Sequence, residues 1–264
     1  MLVTERRNKI KEMLFQKGSV KVSELVQMFG VSEETIRRDL HALEDQGLIE
    51  KNYGGAVLLE KERRLVSIPP VDQRKFQYSA EKNAIGKRAA ELIGPEQIVI
   101  IDAGSTTWYA ASHLRETANL VVISNGMNIV EECSKNESAK IYALGGELRR
   151  NSMSFVGPQA ETELRKYNAD YALLGTSGIS LRDGFTSADL YEVEIKRAMV
   201  AAGRKIVILA DHSKLHKPGL VSFCSFEDVD LLITSELADQ DILRRLRSLG
   251  VEIEVVSLPR EETE

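Results

Sequence analysis

The sequence predicts an α/β protein in two parts, an N-terminal winged helix-turn-helix followed by a larger, largely parallel α/β domain. Three observations predict it. Residues 1–58 carry three short helical patterns and then two short apolar runs joined through Asn52, Tyr53, Gly54 and Gly55. Residues 81–258 hold short apolar runs alternating with helical patterns, which indicates crossover connections between parallel strands. Between them, residues 59–80 are charged and irregular and contain Pro69-Pro70, so they are expected to be a linker.

The first helical pattern has Thr4 as its expected N-cap, Ile10, Met13 and Leu14 on one face, and Gly18 at its end. A second opens at Ser23, with Leu25, Met28 and Phe29 as its apolar side, and Gly30 breaks it. Ser32 caps a third, in which Glu33 and Glu34 occupy the first turn, where the helix dipole favours acids. Ile36, Leu40 and Leu43 then face inward and Gly47 ends it. Leu48 to Lys51 and Ala56 to Leu59 complete a hairpin, the expected wing. In the larger domain the expected strands are 98–101, 120–123, 141–144, 171–174, 206–209, 231–233 and 251–256. Helices are expected near 81–93, 105–116, 126–135, 158–167, 190–203 and 238–248.

Composition narrows the class of function. A chain of 264 residues, 43% hydrophobic, can bury a sizeable core. Cys133 and Cys224 are the only cysteines and lack metal-ligand spacing, so they are expected to be reduced thiols in the cytoplasm. No metal or cofactor is expected. The N-terminus lacks the apolar segment of a signal peptide, and no run has the length of a membrane span. With a net charge of −5, contact with nucleic acid must come from a local patch. Even residues 1–58 balance, with nine basic side chains against nine acidic.

That patch is expected on the third helix. If Ile36 and Leu40 face inward, Thr35, Arg37, Arg38 and His41 face outward beside Ser32. An arginine can pair with guanine or hold a phosphate, and a threonine can touch phosphate or a thymine methyl. Arg6 and Arg7, with Lys51, Asn52 and Tyr53 in the wing, are expected to grip backbone on either side. Two adjacent arginines alone would more often be solvated surface charges. The ordered helix trio with its wing is what favours duplex DNA.

The segments Thr4-x-Arg6-Arg7-x-x-Ile10, Val31-Ser32-x-x-Thr35-Ile36-Arg37-Arg38-Asp39-Leu40 and Gly54-Gly55-Ala56 resemble the signature of the DeoR family of bacterial repressors. The resemblance implies that Thr35 to Leu40 lie on the recognition helix and that the Gly-Gly-Ala element forms the wing. Tyr53 stands where members often carry His.

A second constellation lies in Ile101-Asp102-Ala103-Gly104-Ser105-Thr106-Thr107, where a strand, a small-residue turn and a helix start bring backbone N–H groups and three hydroxyls to one point. Such a point suits phosphate, although a plain helix cap reads equally well. Other strands also end in polar residues or glycine, at Ser124-Asn125, Gly145-Gly146, Gly175-Thr176-Ser177 and Ala210 to Lys214, and in a parallel sheet such ends share one rim. Lys214 is expected to neutralise a phosphate, and Asp102, Asn125, Asp170 and Asp211 to bond sugar hydroxyls; turn capping is the alternative for Asp170 and Asp211. This region resembles the DeoR sensor domain through Asp102 to Thr107, Gly145-Gly146, Asp183-Gly184, Glu192-x-x-x-Lys196-Arg197-Ala198-Met199 and Asp211-x-Ser213-Lys214. It is also similar to sugar-phosphate isomerases of the ribose-5-phosphate isomerase type. The resemblance implies a phosphorylated sugar or related metabolite as effector. Glu192 and Lys196 fit either ligand contact or a surface i,i+4 pair.

The function expected is that of a homo-oligomeric DNA-binding regulator, dimer or tetramer, which represses a sugar-metabolism operon through a double-stranded operator and is not an enzyme. Symmetry would let two recognition helices read two half-sites. The alternatives are a sugar-phosphate isomerase fused to a winged helix, with Glu192 as base near Lys214, and an N-terminal module that docks a protein.

Overall fold

The structure is a computed structural model. It describes residues 3, 6, 7, 9, 10, 13, 14, 19–44, 49–52, 54–58 and 69–259. The chain divides into two compact units, Met1–Ile68 and Pro69–Glu264. Thr4, Gly18, Gly47, Leu48, Tyr53 and Leu59 lie outside the described residues.

In the first unit, residues 3, 6, 7, 9, 10, 13 and 14 are helical. Then follow β1 (Ser19–Lys21), α1 (Val22–Phe29), α2 (Glu33–Glu44), β2 (Ile49–Asn52) and β3 (Gly55–Leu58). Gly30 ends α1 in the left-handed conformation (φ 62°), and its N–H donates to the Val26 carbonyl at 3.0 Å. The Ser32 hydroxyl accepts from the Thr35 N–H at 3.3 Å, as a capping residue does. Ile36, Leu40 and Leu43 turn inward and pack with Ile10, Leu14, Leu25 and Ile49. Burying each such side chain contributes about 1.5–3 kcal/mol. The expected hairpin has a third strand, because β1 pairs antiparallel with β3 and gives the order β1-β3-β2.

The second unit opens with α3 (Val71–Phe76) and α4 (Ser79–Ala90). Both fall at least partly within the segment expected to be an irregular linker, and that expectation is corrected from Val71 onward. Pro70 stands just before the first helical residue, where its ring and missing N–H cost nothing. Val71 is fully buried and its N–H donates to the Asn151 carbonyl at 2.7 Å, so tertiary contacts hold a helix too short to stand alone.

There follow β4 (Ile98–Ile101), α5 (Ser105–Ser112), β5 (Val121–Ser124), α6 (Met127–Cys133) and β6 (Lys140–Ala143). After β7 (Glu147–Arg149) and β8 (Ser154–Val156) come α7 (Pro158–Leu164) and β9 (Ala169–Gly175). The chain continues through β10 (Gly178–Ser180), β11 (Gly184–Ser187), α8 (Leu190–Ala202) and β12 (Gly203–Leu209). It ends with β13 (Val221–Cys224), β14 (Leu231–Ser235), α9 (Gln240–Ser248) and β15 (Ile253–Val256).

Seven strands form one parallel sheet in the order β15-β14-β12-β9-β4-β5-β6. Along β4, Val99 and Ile101 face one core, shared with α4, α5 and α6, while Ile100 faces a second core shared with α7, α8 and α9. Burial on both faces explains why these strands read as unbroken apolar runs. The antiparallel pair β7-β8 and sheet β10-β11-β13 are accessory elements that the apolar pattern did not indicate. No described helix is long and apolar enough to cross a membrane.

Candidate functional site

On α2, Arg37, Arg38 and His41 are exposed and Thr35 half-buried, opposite the core face. Arg37 and Arg38 bond Glu33 and Glu34, each at 2.6 Å, one helical turn back. Exposed pairs of this kind are worth about 0.3–0.5 kcal/mol, so either arginine can exchange its partner for a phosphate. Ser32 and Thr35 share a hydroxyl hydrogen bond at 2.9 Å. His41 lies 3.2 Å from the Lys51 ammonium, and Lys51 pairs with Glu44 at 2.7 Å and holds its carboxyl below the usual range. These contacts tie α2 to β2, where Asn52 is exposed.

Arg6 departs from expectation. Its Nε donates to Asp39 Oδ2 at 2.5 Å and its side chain is only 7% exposed, so it is not placed on the surface to hold a phosphate. Arg7 reaches Asp39 Oδ1 at 2.8 Å and keeps about a third of its side chain exposed (34%). A carboxylate buried on α2 demands compensating charge, and these two arginines supply it.

In the second unit a small cleft forms where β4 and β9 end. It is lined by Arg74, Gly104, Ser105, Thr106, Glu192 and Lys214, among others. Asp102, at the end of β4, accepts from the Lys196 ammonium and from the Gly175 N–H (3.1 Å). Lys196 also donates to the Gly175 carbonyl at 2.9 Å. The surface i,i+4 reading of Glu192 and Lys196 is therefore corrected: Lys196 is 4% exposed and turned toward Asp102. Burial raises the Glu192 carboxyl above its ordinary range, aided by nearby Asp102 and opposed by Lys196, a Ser152 hydrogen bond and Arg74.

Arg74 was missed by sequence reasoning, because the segment around it offers one buried residue and no helical periodicity. Burial pulls its guanidinium below its usual value, with Glu192, Asp102 and Asp211 opposing. Among the described residues only its Nε is engaged, on the Pro69 carbonyl at 2.9 Å. The cleft thus combines the N-terminus of α5, the hydroxyl residues Ser105, Thr106, Thr176 and Ser177, and, beside the Glu192 carboxyl, two cations, Arg74 and Lys214, that make no ion pair among the described residues. Such a set attracts an anion.

Several expected ligand residues have other duties. The Thr107 hydroxyl donates to the Asp102 carbonyl at 2.7 Å, so of the three hydroxyl residues in this turn only Ser105 and Thr106 line the cleft. Both ends of the Asn125 amide are used, with Oδ1 accepting from the Ala103 N–H (3.3 Å) and Nδ2 donating to the Phe155 carbonyl (3.0 Å). Asp170 stands near the start of β9 and accepts from the Ile98 N–H at 2.9 Å, at the opposite end of the sheet from the cleft. Asp211 is fully buried and accepts from the Ser213 N–H at 3.1 Å as a cap, while its other oxygen lies 3.9 Å from Lys82. Gly145 and Gly146 carry the chain from β6 toward β7, against Gln159 and Val156, and do not line the cleft.

Beside Asp211, Glu81 and His212 place their ligand atoms within 4.8 Å of one another and of it, a grouping able to hold a metal. Donors already fill Glu81, which accepts from His212 at its N–H (2.7 Å) and Nδ1 (2.8 Å) and from the Ser235 hydroxyl (2.6 Å). The Lys82 ammonium alongside also disfavours a cation.

Models of two known domains match the chain, the DeoR-like helix-turn-helix domain over residues 6–62 and the DeoR C terminal sensor domain over 77–236. The chain belongs to the DeoR family. This DeoR-family regulator is 36% identical over 253 residues to a protein described as an aga operon transcriptional repressor from Escherichia coli O157:H7, covering 96% of this chain and 94% of the relative. It is 32% identical to the glycerol-3-phosphate regulon repressor of Escherichia coli K12, covering 97% and 100%. Among solved structures it resembles ribose 5-phosphate isomerase A of Methanocaldococcus jannaschii, with 16% identity, 53% and 55% coverage and a TM-score of 0.39. No activity follows from that last likeness. The DeoR-family chain is a DNA-binding transcriptional regulator of mixed α/β fold.

Proposed function

We propose that this regulator is a homo-oligomeric repressor of a sugar-metabolism operon, whose operator affinity is set by a phosphorylated sugar held at the strand-end cleft of the second unit. The observation that carries the reading is the pairing of an α5 N-terminus with Arg74 and Lys214, two cations left without ion-pair partners among the described residues. Thr35, Arg37 and Arg38 supply the groove contacts, with Lys51 and Asn52 on the flanking backbone. Asp102 and Lys196 are already matched to each other, so they shape the cleft and leave Arg74 and Lys214, with the Glu192 carboxyl beside them, to set its remaining charge.

Control requires that the ligand favour one arrangement of the regulator over another, since equal affinity for both would shift nothing. The test uses gel shift on operator DNA and calorimetry on a panel of pentose and hexose phosphates. Arg38→Ala is expected to weaken operator binding roughly tenfold and leave ligand binding intact. Lys214→Ala is expected to do the reverse. Unchanged operator affinity in Arg38→Ala, or a wild-type protein that binds no member of the panel, would contradict the corresponding half of the proposal.

A further inference from the structure

Arg74 and Lys214 reach one small cleft from distant parts of the chain, Arg74 on α3 and Lys214 in a short 3-10 turn, His212–Lys214, that follows β12. The cleft measures about 30 Å³, space for one or two water-sized groups, so the two like charges stand close and repel each other. Of the acids that line it, Asp102 is already held by Lys196 and only Glu192 is left to moderate that repulsion. Two long cationic side chains on separate segments would move apart unless the segments were fixed, and a ligand would then spend binding energy to gather them.

The first turn of α4 fixes both segments with two adjacent side chains, Glu81 and Lys82, each 2% exposed and neither lining the cleft. Glu81 grips the turn that carries Lys214. Its Oε1 accepts from the His212 N–H at 2.7 Å and from the Ser235 hydroxyl at 2.6 Å, and its Oε2 lies 2.8 Å from His212 Nδ1. Ser235 ends β14, so one carboxylate ties the turn to a helix and to the sheet together. Asp211 closes the same turn from within, since its carbonyl accepts from the Lys214 N–H at 3.0 Å. The Tyr78 ring meets the His212 ring edge-on, with centroids 4.8 Å apart. Lys82 grips the other segment, donating to the Arg74 carbonyl at 2.5 Å. That carbonyl lies in the last turn of α3, where the helix itself offers no donor.

We infer that Glu81 is a positioning residue for the effector, acting through His212 to hold Lys214 at the separation from Arg74 that one phosphate spans, which rests on the phosphate reading of the cleft. Glu81 meets no ligand atom itself. It fixes the geometry in advance, so that the anion finds its two cations already gathered. The sign of one substitution separates this role from plain electrostatics. Removing a carboxylate near an anion site tightens anion binding by charge alone, whereas releasing the Lys214 turn weakens it. A glutamine at position 81 removes the charge and keeps the bonds, because its oxygen accepts from the His212 N–H and the Ser235 hydroxyl while its amide donates to His212 Nδ1.

The test measures full-length wild type, Glu81→Ala and Glu81→Gln by calorimetry against inorganic phosphate and a panel of pentose and hexose phosphates. Leu243→Ala, a fully buried cut on α9 outside the cleft, shows what general destabilisation does. Glu81→Ala is expected to lose at least about tenfold in affinity for each ligand that wild type binds, and Glu81→Gln to stay within about threefold. Leu243→Ala is expected to melt earlier yet bind within about twofold of wild type. If Glu81→Ala does not fold, His212→Phe, which breaks the Nδ1 contact and keeps a ring against Tyr78, is measured in its place against the same expectation. Affinity unchanged or raised in Glu81→Ala would overturn the inference, and so would an equal loss in Glu81→Gln or in Leu243→Ala. A wild type that binds neither phosphate nor any sugar phosphate defeats the phosphate reading itself, which is distinct from a wild type that binds and a Glu81→Ala that binds as well.

Discussion

At the scale of single residues, burial decides what a charged side chain does. Asp39 is 1% exposed and held by Arg6 and Arg7, so Asp39→Ala would leave Arg6 buried without its counter-charge. The expected cost is about 3–5 kcal/mol of stability in the first unit, measured by urea unfolding. A loss below about 1 kcal/mol would show that Arg6 finds water instead. Lys82 offers a second measurement. It is 2% exposed, and burial lowers its pKa to about 8, with Asp211 opposing. In the unfolded chain a lysine titrates near about 10.4. Between those values the unfolded state holds more protons, so this contribution to stability rises with pH through the window and is lost as pH falls through the lower value. Stability measured at about pH 7.5 and 9.5 should show the rise in wild type and lack it in Lys82→Met; identical slopes would refute the assignment.

At the scale of elements, the wing depends on a close approach that only glycine permits. Gly55 pairs with Lys21 across β1 and β3, and a β-carbon there would stand 2.1 Å from the Val20 carbonyl oxygen. Gly55→Ala is expected to cost about 1–3 kcal/mol and to weaken operator binding with it, read from a thermal melt and a gel shift. An unchanged melt would mean that the strands separate freely. The same scale shows what was legible in the sequence. The strands of the large sheet announce themselves because both faces are buried, as in Ile98 to Ile101, and α2 because Ile36, Leu40 and Leu43 repeat at helical spacing. The helix α3 was hidden, since Val71 is its only buried residue and its stability comes from contacts distant in sequence. Asp170 was misplaced for a related reason: an apolar run locates a strand but does not say which flanking acid lies at which end. Lys196 was underrated because the i,i+4 rule sees Glu192 and cannot see Asp102, which lies 94 positions away.

At the scale of the whole molecule, the candidate site is assembled from segments far apart in the chain. Arg74, Asp102, Gly175 and Lys214 meet only once β4, β9 and β12 are paired, so the cleft exists only in the folded state, and a ligand bound there would raise apparent stability. Every residue lining that cleft sits at or past a strand end or on a helix, and the interiors of the strands contribute none. This separation has an evolutionary consequence. The connections can be rewritten toward a different metabolite while the sheet stays as it is, so descendants of one scaffold can diverge in what they recognise without first surrendering the stability that lets them fold.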